Sequence, residues 1–255
     1  MDETEALIGL CVRALAAQMI FAPGAELLLT ATAVLGLTET PLADYNRLMI
    51  GAGPHAEAFL VRAVERAQAR GAALSAVLSP EAARALWPLG AQLGFSAVGT
   101  APLMVLGPET PVAPGGAFRV ERALDPDQAA VAGDLIAAAF DEPRDIVARY
   151  LESGMTPTSG VETWIARDGD FPLGTVSVTP TGDAAGITLM ATPPALQGRG
   201  VGRDLLSQVI GAYRRRGVTR FHLGSSDAGR RLYDRLGFRL VADLPVWARA
   251  AGNFR

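Results

Sequence analysis

The 255-residue chain contains no lysine, since all 23 basic residues are arginine. That excludes lysine nucleophiles and Schiff-base chemistry. The one cysteine, Cys11, can form no intrachain disulfide, and its neighbours Leu10 and Val12 mark it as a core thiol of a protein kept in the reducing cytoplasm. Two separated histidines, His55 and His222, supply no metal-ligand spacing with that cysteine, so no metal is expected. The apolar stretch 25–37 is too short to span a bilayer, and the N-terminus opens with Asp2, Glu3 and Glu5 instead of basic residues. Nor is there an excess of positive charge: the net value of −3 argues against nucleic acid and anionic membrane as partners.

What is present is apolar. Hydrophobic residues make up 49% and charged residues 19%, enough for a folded globular protein, and the length suits two modest domains. GPETPVAPGG at 107–116 disfavours both helix and central strand and reads as the linker between domains 1–106 and 117–255.

Hydrophobic periodicity predicts helices over 4–18, 56–70 and 80–93 and strands over 26–32, 45–50 and 95–106 in the first half. In the second it predicts strands over 117–122, 163–167, 172–178, 186–191, 219–223 and 238–248, and helices over 126–140, 143–151, 201–216 and 228–236. The fold class is α+β with a mixed central sheet. The halves echo one another, since Leu93-Gly94-Phe95 and Leu236-Gly237-Phe238 each end a helix and begin a strand.

The segment that carries chemistry is TPPALQGRGVGRDLL, 192–206, between an apolar strand and an amphipathic helix. Gly198, Gly200 and Gly202 allow a tight turn and close approach of a ligand. The first helical turn offers unpaired N–H groups and the positive end of its dipole to an anion. Arg199 and Arg203 flank the loop as candidate phosphate partners, although arginines there also suit plain solvation. A Walker loop is excluded because no lysine follows. A Rossmann site is disfavoured because the loop comes late and the stretch beyond it, RRRGVTR, is basic.

Gln197-Gly198-Arg199-Gly200-Val201-Gly202 resembles the Q/R-x-x-G-x-G/A pyrophosphate loop of the GNAT acetyltransferase superfamily. Downstream, Leu232, Tyr233, Gly237 and Phe238 fit that superfamily's L-Y-x-x-x-G-F signature, and the resemblance spans about 118–247. It departs at Ser226 and Gly229, where many members carry Asn and Ala.

The resemblance implies a GNAT-type sheet, two tandem GNAT-like domains, and direct transfer of an acetyl group from acetyl-CoA to an amine without an acyl-enzyme. The cofactor-binding set it implies is Leu189, Met190 and Ala191 on the strand, Gln197, Gly198, Arg199, Gly200, Val201, Gly202 and Arg203 on the loop, and Ser226. On helical spacing Tyr233 reads as a core residue; the resemblance makes it the general acid that protonates the leaving thiolate. No base stands out, with Glu162, Glu142 and Asp183 weak candidates and His222 reading better as a core residue. The acceptor is a small-molecule or peptide amine, its pocket walls drawn from 140–161 and the first half. A homodimer is compatible with this reading.

Aligned on the Leu-Gly-Phe turns, the first half has Gly90 where the second has Tyr233, and GAGPHAEAF replaces the glycine loop. It is therefore expected to be a degenerate, non-catalytic copy. The competing reading of the chain is an acyl-CoA-binding sensor without turnover.

Overall fold

The computed structural model describes residues 2–40, 42–154 and 160–251, with the side chains of 152–154 left aside. Two compact units divide it, Met1–Leu103 with Leu240–Arg255, and Met104–Arg239.

Along the chain run α1 (Glu3–Met19), β1 (Glu26–Leu29), β2 (Ala33–Leu37), β3 (Arg47–Ile50), α2 (Ala56–Ala69), β4 (Leu74–Leu78), α3 (Pro80–Gln92) and β5 (Ser96–Leu106). There follow β6 (Arg119–Arg122), α4 (Pro126–Phe140), α5 (Arg144–Gly154), β7 (Glu162–Asp168), β8 (Phe171–Thr181) and β9 (Ala184–Ala191). The chain closes with α6 (Val201–Arg215), β10 (Arg220–Gly224), α7 (Asp227–Arg235) and β11 (Arg239–Arg249). No helix among the described residues is long and apolar enough to cross a membrane.

In the first unit the strand order is β1-β2-β3-β4-β11. Successive pairs are antiparallel, antiparallel, parallel and antiparallel. In the second, the order β7-β8-β9-β10 repeats the antiparallel, antiparallel, parallel pattern, with β6 beside β7 and β5 beside β10. The helix after the third strand of each series, α2 or α6, makes the crossover to the parallel fourth strand. Two copies of one supersecondary plan thus lie in one chain.

Local chemistry sets the helix starts. Ser79 accepts from the Ala82 N–H at 3.2 Å ahead of Pro80, and Asp125 accepts from the Gln128 N–H at 2.8 Å ahead of Pro126. Both are N-caps followed by the ring that best tolerates the first helical position. In the second unit Leu205, Leu206, Val209, Ile210 and Tyr213 of α6 are buried against Val176, Val178, Ile187, Phe221 and Leu223 of the sheet. That stripe is the apolar face an amphipathic helix must cover.

Two strands went unread in the sequence. Residues 26–32 held one predicted strand, but the Thr30 hydroxyl accepts from the Ala33 N–H at 2.9 Å and turns the chain there, giving β1 and a separate, fully buried β2. β4 is short and lies between Gly71 and the Ser79 cap. The units also cut the chain differently from 1–106 and 117–255: residues 107–116 fall inside the second unit, and Leu240–Arg255 falls in the first. The stretch 107–116 is fastened there. The Asp204 carboxylate accepts from the N–H groups of Gly116 at 2.7 Å, Ala117 at 3.0 Å and Phe118 at 3.1 Å, and Arg214 donates to the Thr110 carbonyl at 2.7 Å.

Candidate active site

The site starts with an irregularity in β9. Ser177 pairs with Thr188 but Thr175 pairs with Ala191, so two steps on β8 face three on β9. Leu189 absorbs the extra residue with φ 48, a left-handed conformation that a leucine adopts only where its surroundings hold it. The bulge releases main-chain groups near Leu189 and Met190 from the β8 ladder, beyond the stretch 184–186 over which β9 pairs with its parallel neighbour β10. Leu189 itself packs against Ile136, Ala137 and Val147.

After β9, Pro193 and Pro194 end the strand and Gln197 folds back, donating from Nε2 to the Thr192 carbonyl at 3.0 Å. Gly198 at φ 76 and Gly200 at φ 81 then carry the backbone through conformations that suit glycine. Gly200 is the N-cap of α6, and no side chain caps the helix. Its first-turn N–H groups are therefore available to an anion. α7 forms another wall, its start held by the Ser226 hydroxyl accepting from the Gly229 N–H at 3.2 Å.

Between these elements lies a cleft of about 840 Å³. Met190, Ala191, Gln197, Gly198, Arg199, Gly200, Val201, Gly202, Arg203, Ser226 and Tyr233 all border it; Leu189 does not. Tyr233 is 7% exposed and packs edge-on against Phe238 with ring centroids 5.7 Å apart. Burial pushes its phenol up to about 12, so it stays protonated at working pH.

The wall also includes Phe140, the first residue of the stretch read as acceptor-pocket wall, and residues that the sequence reading did not assign to the site: Ala139, Thr192, Leu196, Ala228, Gly229, Leu232 and Arg235. For Leu232 and Gly229 the signal was available, since both lie inside the second signature. Ala139 offered none, because only the packing of α4 brings it to the cleft.

None of the base candidates borders the cleft. Burial raises the Glu162 carboxyl, but hydrogen bonds from Arg216 and Tyr213 and the charges of Arg122 and Arg216 outweigh it and hold it below its usual range. Arg216 clasps Glu162 with both guanidinium nitrogens at 2.7 and 2.8 Å, and the Tyr213 hydroxyl donates to it at 2.7 Å. Glu162 is thus part of an anchor between β7 and the end of α6. Asp183 is exposed in the turn before β9, and His222 is 2% exposed inside β10. Burial pushes the Cys11 thiol, in α1, up to about 12, which leaves it protonated. Residues 155–159, within the stretch read as acceptor-pocket wall, lie outside the described residues.

Residues 159–240 match the family described as acetyltransferase (GNAT) domain. No curated protein matches the chain. Among solved structures it is similar to a GCN5-related N-acetyltransferase from Kribbella flavida, at 16% identity and a TM-score of 0.71, over 96% of each chain. It is also similar to a GCN5-related N-acetyltransferase from Sphaerobacter thermophilus, at 18% identity and a TM-score of 0.61, over 88% of this chain and 83% of that one. A tandem GNAT protein from the clavulanic acid biosynthesis pathway aligns at 14% identity and a TM-score of 0.61, over 95% of this chain and 88% of that one. At these identities the structures speak for the fold, and the family match speaks for the second unit. Residues 159–240, which hold the bulged strand, the glycine loop and Tyr233, thus match a GNAT acetyltransferase domain, in a chain with the fold of a tandem GNAT protein.

Proposed function

We propose that the second unit binds acetyl-CoA and transfers its acetyl group directly to the nitrogen of an amine. The observation that carries this reading is the convergence on one cleft of the bulge in β9, the uncapped start of α6 and the protonated phenol of Tyr233. The pyrophosphate would lie on the α6 amides with Arg199 and Arg203 beside it. The pantetheine arm would then run past Met190 toward Tyr233.

With the thioester held there, the amine lone pair attacks the carbonyl carbon, and a main-chain N–H freed by the bulge stabilises the developing oxyanion. Collapse of the tetrahedral intermediate expels the CoA thiolate, to which Tyr233 donates. The described walls of the cleft bear neither carboxylate nor histidine, so the amine must arrive neutral or lose its proton to water. Positioning therefore carries much of the rate. The first unit fits a non-catalytic copy: the Glu5 carboxylate accepts from the Ala52 N–H at 2.9 Å, occupying with the chain's own anion the short loop that follows β3.

The test is titration of acetyl-CoA by calorimetry, followed by thiol release with a panel of amines. A side chain at Gly202 would begin 3.1 Å from the Met190 methyl and 3.2 Å from Leu232 Cδ2, so Gly202→Val is expected to weaken acetyl-CoA at least about tenfold. Absence of acetyl-CoA binding by the wild type would overturn the reading. Binding without thiol release with any amine would leave a sensor in place of an enzyme.

A further inference from the structure

The cleft has three arginines on its border, Arg199, Arg203 and Arg235. The first two belong to the glycine loop and the first turn of α6, but Arg235 stands on the last turn of α7. It is exposed and has no ion pair among the described residues, whereas Arg230 on the same helix lies 4.0 Å from Asp234.

Its place on the helix is defined by contacts. A Cβ on Gly202 would lie 3.2 Å from Leu232, so the Leu232 side of α7 abuts the first turn of α6. Ala228, Leu232 and Arg235 recur at helical spacing along that side, and all three border the cleft. Gly229 and Tyr233 form the adjoining stripe, the Cβ position of Gly229 lying 3.1 Å from the Tyr233 ring. Arg235 is therefore displaced about 4.5 Å along α7 from the Leu232 contact, at three residues of 1.5 Å each. It adds a second cationic point to the cleft, separate from the loop.

Coenzyme A presents two separate anionic groups, the pyrophosphate and the 3′-phosphate of its ribose. Loop amides with Arg199 and Arg203 match the first. A guanidinium matches the second, because its planar fork of donors meets phosphate oxygens in pairs. We infer that Arg235 binds the 3′-phosphate of the donor and selects CoA thioesters over donors that lack this group, such as 3′-dephospho-CoA thioesters or acyl groups on a bare phosphopantetheine arm. The inference rests on the donor reading above and adds a second anion subsite to it. A purely structural role is the alternative, since a cation in the last turn of a helix also complements its dipole.

Titration of acetyl-CoA and of 3′-dephospho-acetyl-CoA into wild type, Arg235→Gln and Arg235→Lys separates the two. Wild type is expected to favour acetyl-CoA about tenfold, the scale of one charge-assisted contact. Arg235→Gln should abolish that preference by weakening acetyl-CoA alone, and Arg235→Lys should keep part of it. The preference should also shrink at high salt. Equal affinity of wild type for both donors, or equal weakening of both by Arg235→Gln, overturns the inference and leaves the donor reading intact. Failure of wild type to bind either overturns both.

Discussion

Tyr233 unites two features that pull in different directions on helical spacing alone. Its ring is core, 7% exposed and packed edge-on against Phe238, yet it borders the cleft. Its working form as an acid is the protonated one. Burial places the loss of that form near pH 12, so the residue should contribute no fall in rate below about pH 10. Tyr233→Phe is expected to lower kcat by about 10²-fold with the acetyl-CoA Kd changed less than about twofold. Rate profiles of the two proteins between pH 6 and about pH 10 should run parallel. A falling alkaline limb in the wild type that vanishes in Tyr233→Phe would show the phenol titrating lower than burial places it, whereas a kcat unchanged by Tyr233→Phe would contradict the assignment. At this scale the loop residues were legible because glycines and a helix start are local chemistry. Ala139 and Arg235 were not, because nothing near them in sequence says that α4 and the last turn of α7 meet one cleft.

Among the elements, α6 has most to do: its start faces the cleft, its apolar stripe covers the sheet, and Asp204 in its first turn fastens 116–118. Prolines and glycines made 107–116 read as a linker. The structure gives two of those glycines another purpose. A Cβ on Gly115 would lie 2.7 Å from the Asp204 carbonyl oxygen, so this glycine permits close approach to α6, and Gly116 supplies a backbone conformation of φ 148 that suits glycine. Burial raises the Asp204 carboxyl, but the N–H groups of Ala117, Gly116 and Phe118 and the Gln208 amide together hold it below its usual range.

Asp204→Asn removes a charged acceptor from three N–H donors and is expected to cost about 2–3 kcal/mol in denaturant unfolding. The linkage sign follows from the depressed value. The carboxylate's contribution is complete above its unfolded pKa of about 3.9 and is lost as pH falls through the lower folded value. The difference between wild type and variant should therefore narrow below about pH 4. A gap that stays constant into acid would show that the charge is not what fastens the segment.

For the whole molecule, the decisive feature is that the first unit includes the end of the chain. β11 pairs with β4 through Val246, Trp247, Ala248 and Arg249. Trp247 is 2% exposed, lies 5.2 Å from Trp87 between ring centroids, and reaches Gly90, where an added Cβ would meet its ring at 2.7 Å. The position matched to Tyr233 is thus filled by an indole. Trp247→Ala should cost the first unit about 3–5 kcal/mol. Ending the chain after Arg239 should be worse, because it also bares the edge of β4. Thermal unfolding followed by tryptophan fluorescence in a Trp164→Phe background, which keeps Trp87 of the first unit in every variant, would report both, and a first unit unaffected by the truncation would refute its dependence on β11.

By itself the sequence determined what depends on short-range chemistry: the α+β class, the helices, the glycine loop before α6, and the echo between halves, later visible as a repeated strand order. Contacts between residues distant in the chain were left to the tertiary structure. They decided that 107–116 is fastened to α6, that β11 completes the first unit, that Glu162 is an anchor, and that Ala139 and Arg235 reach the cleft. The physical reason is that a cap, a turn or an amphipathic stripe is written within a few residues. Which surfaces meet is settled only by the mutual burial of whole elements, and composition and periodicity do not encode that pairing.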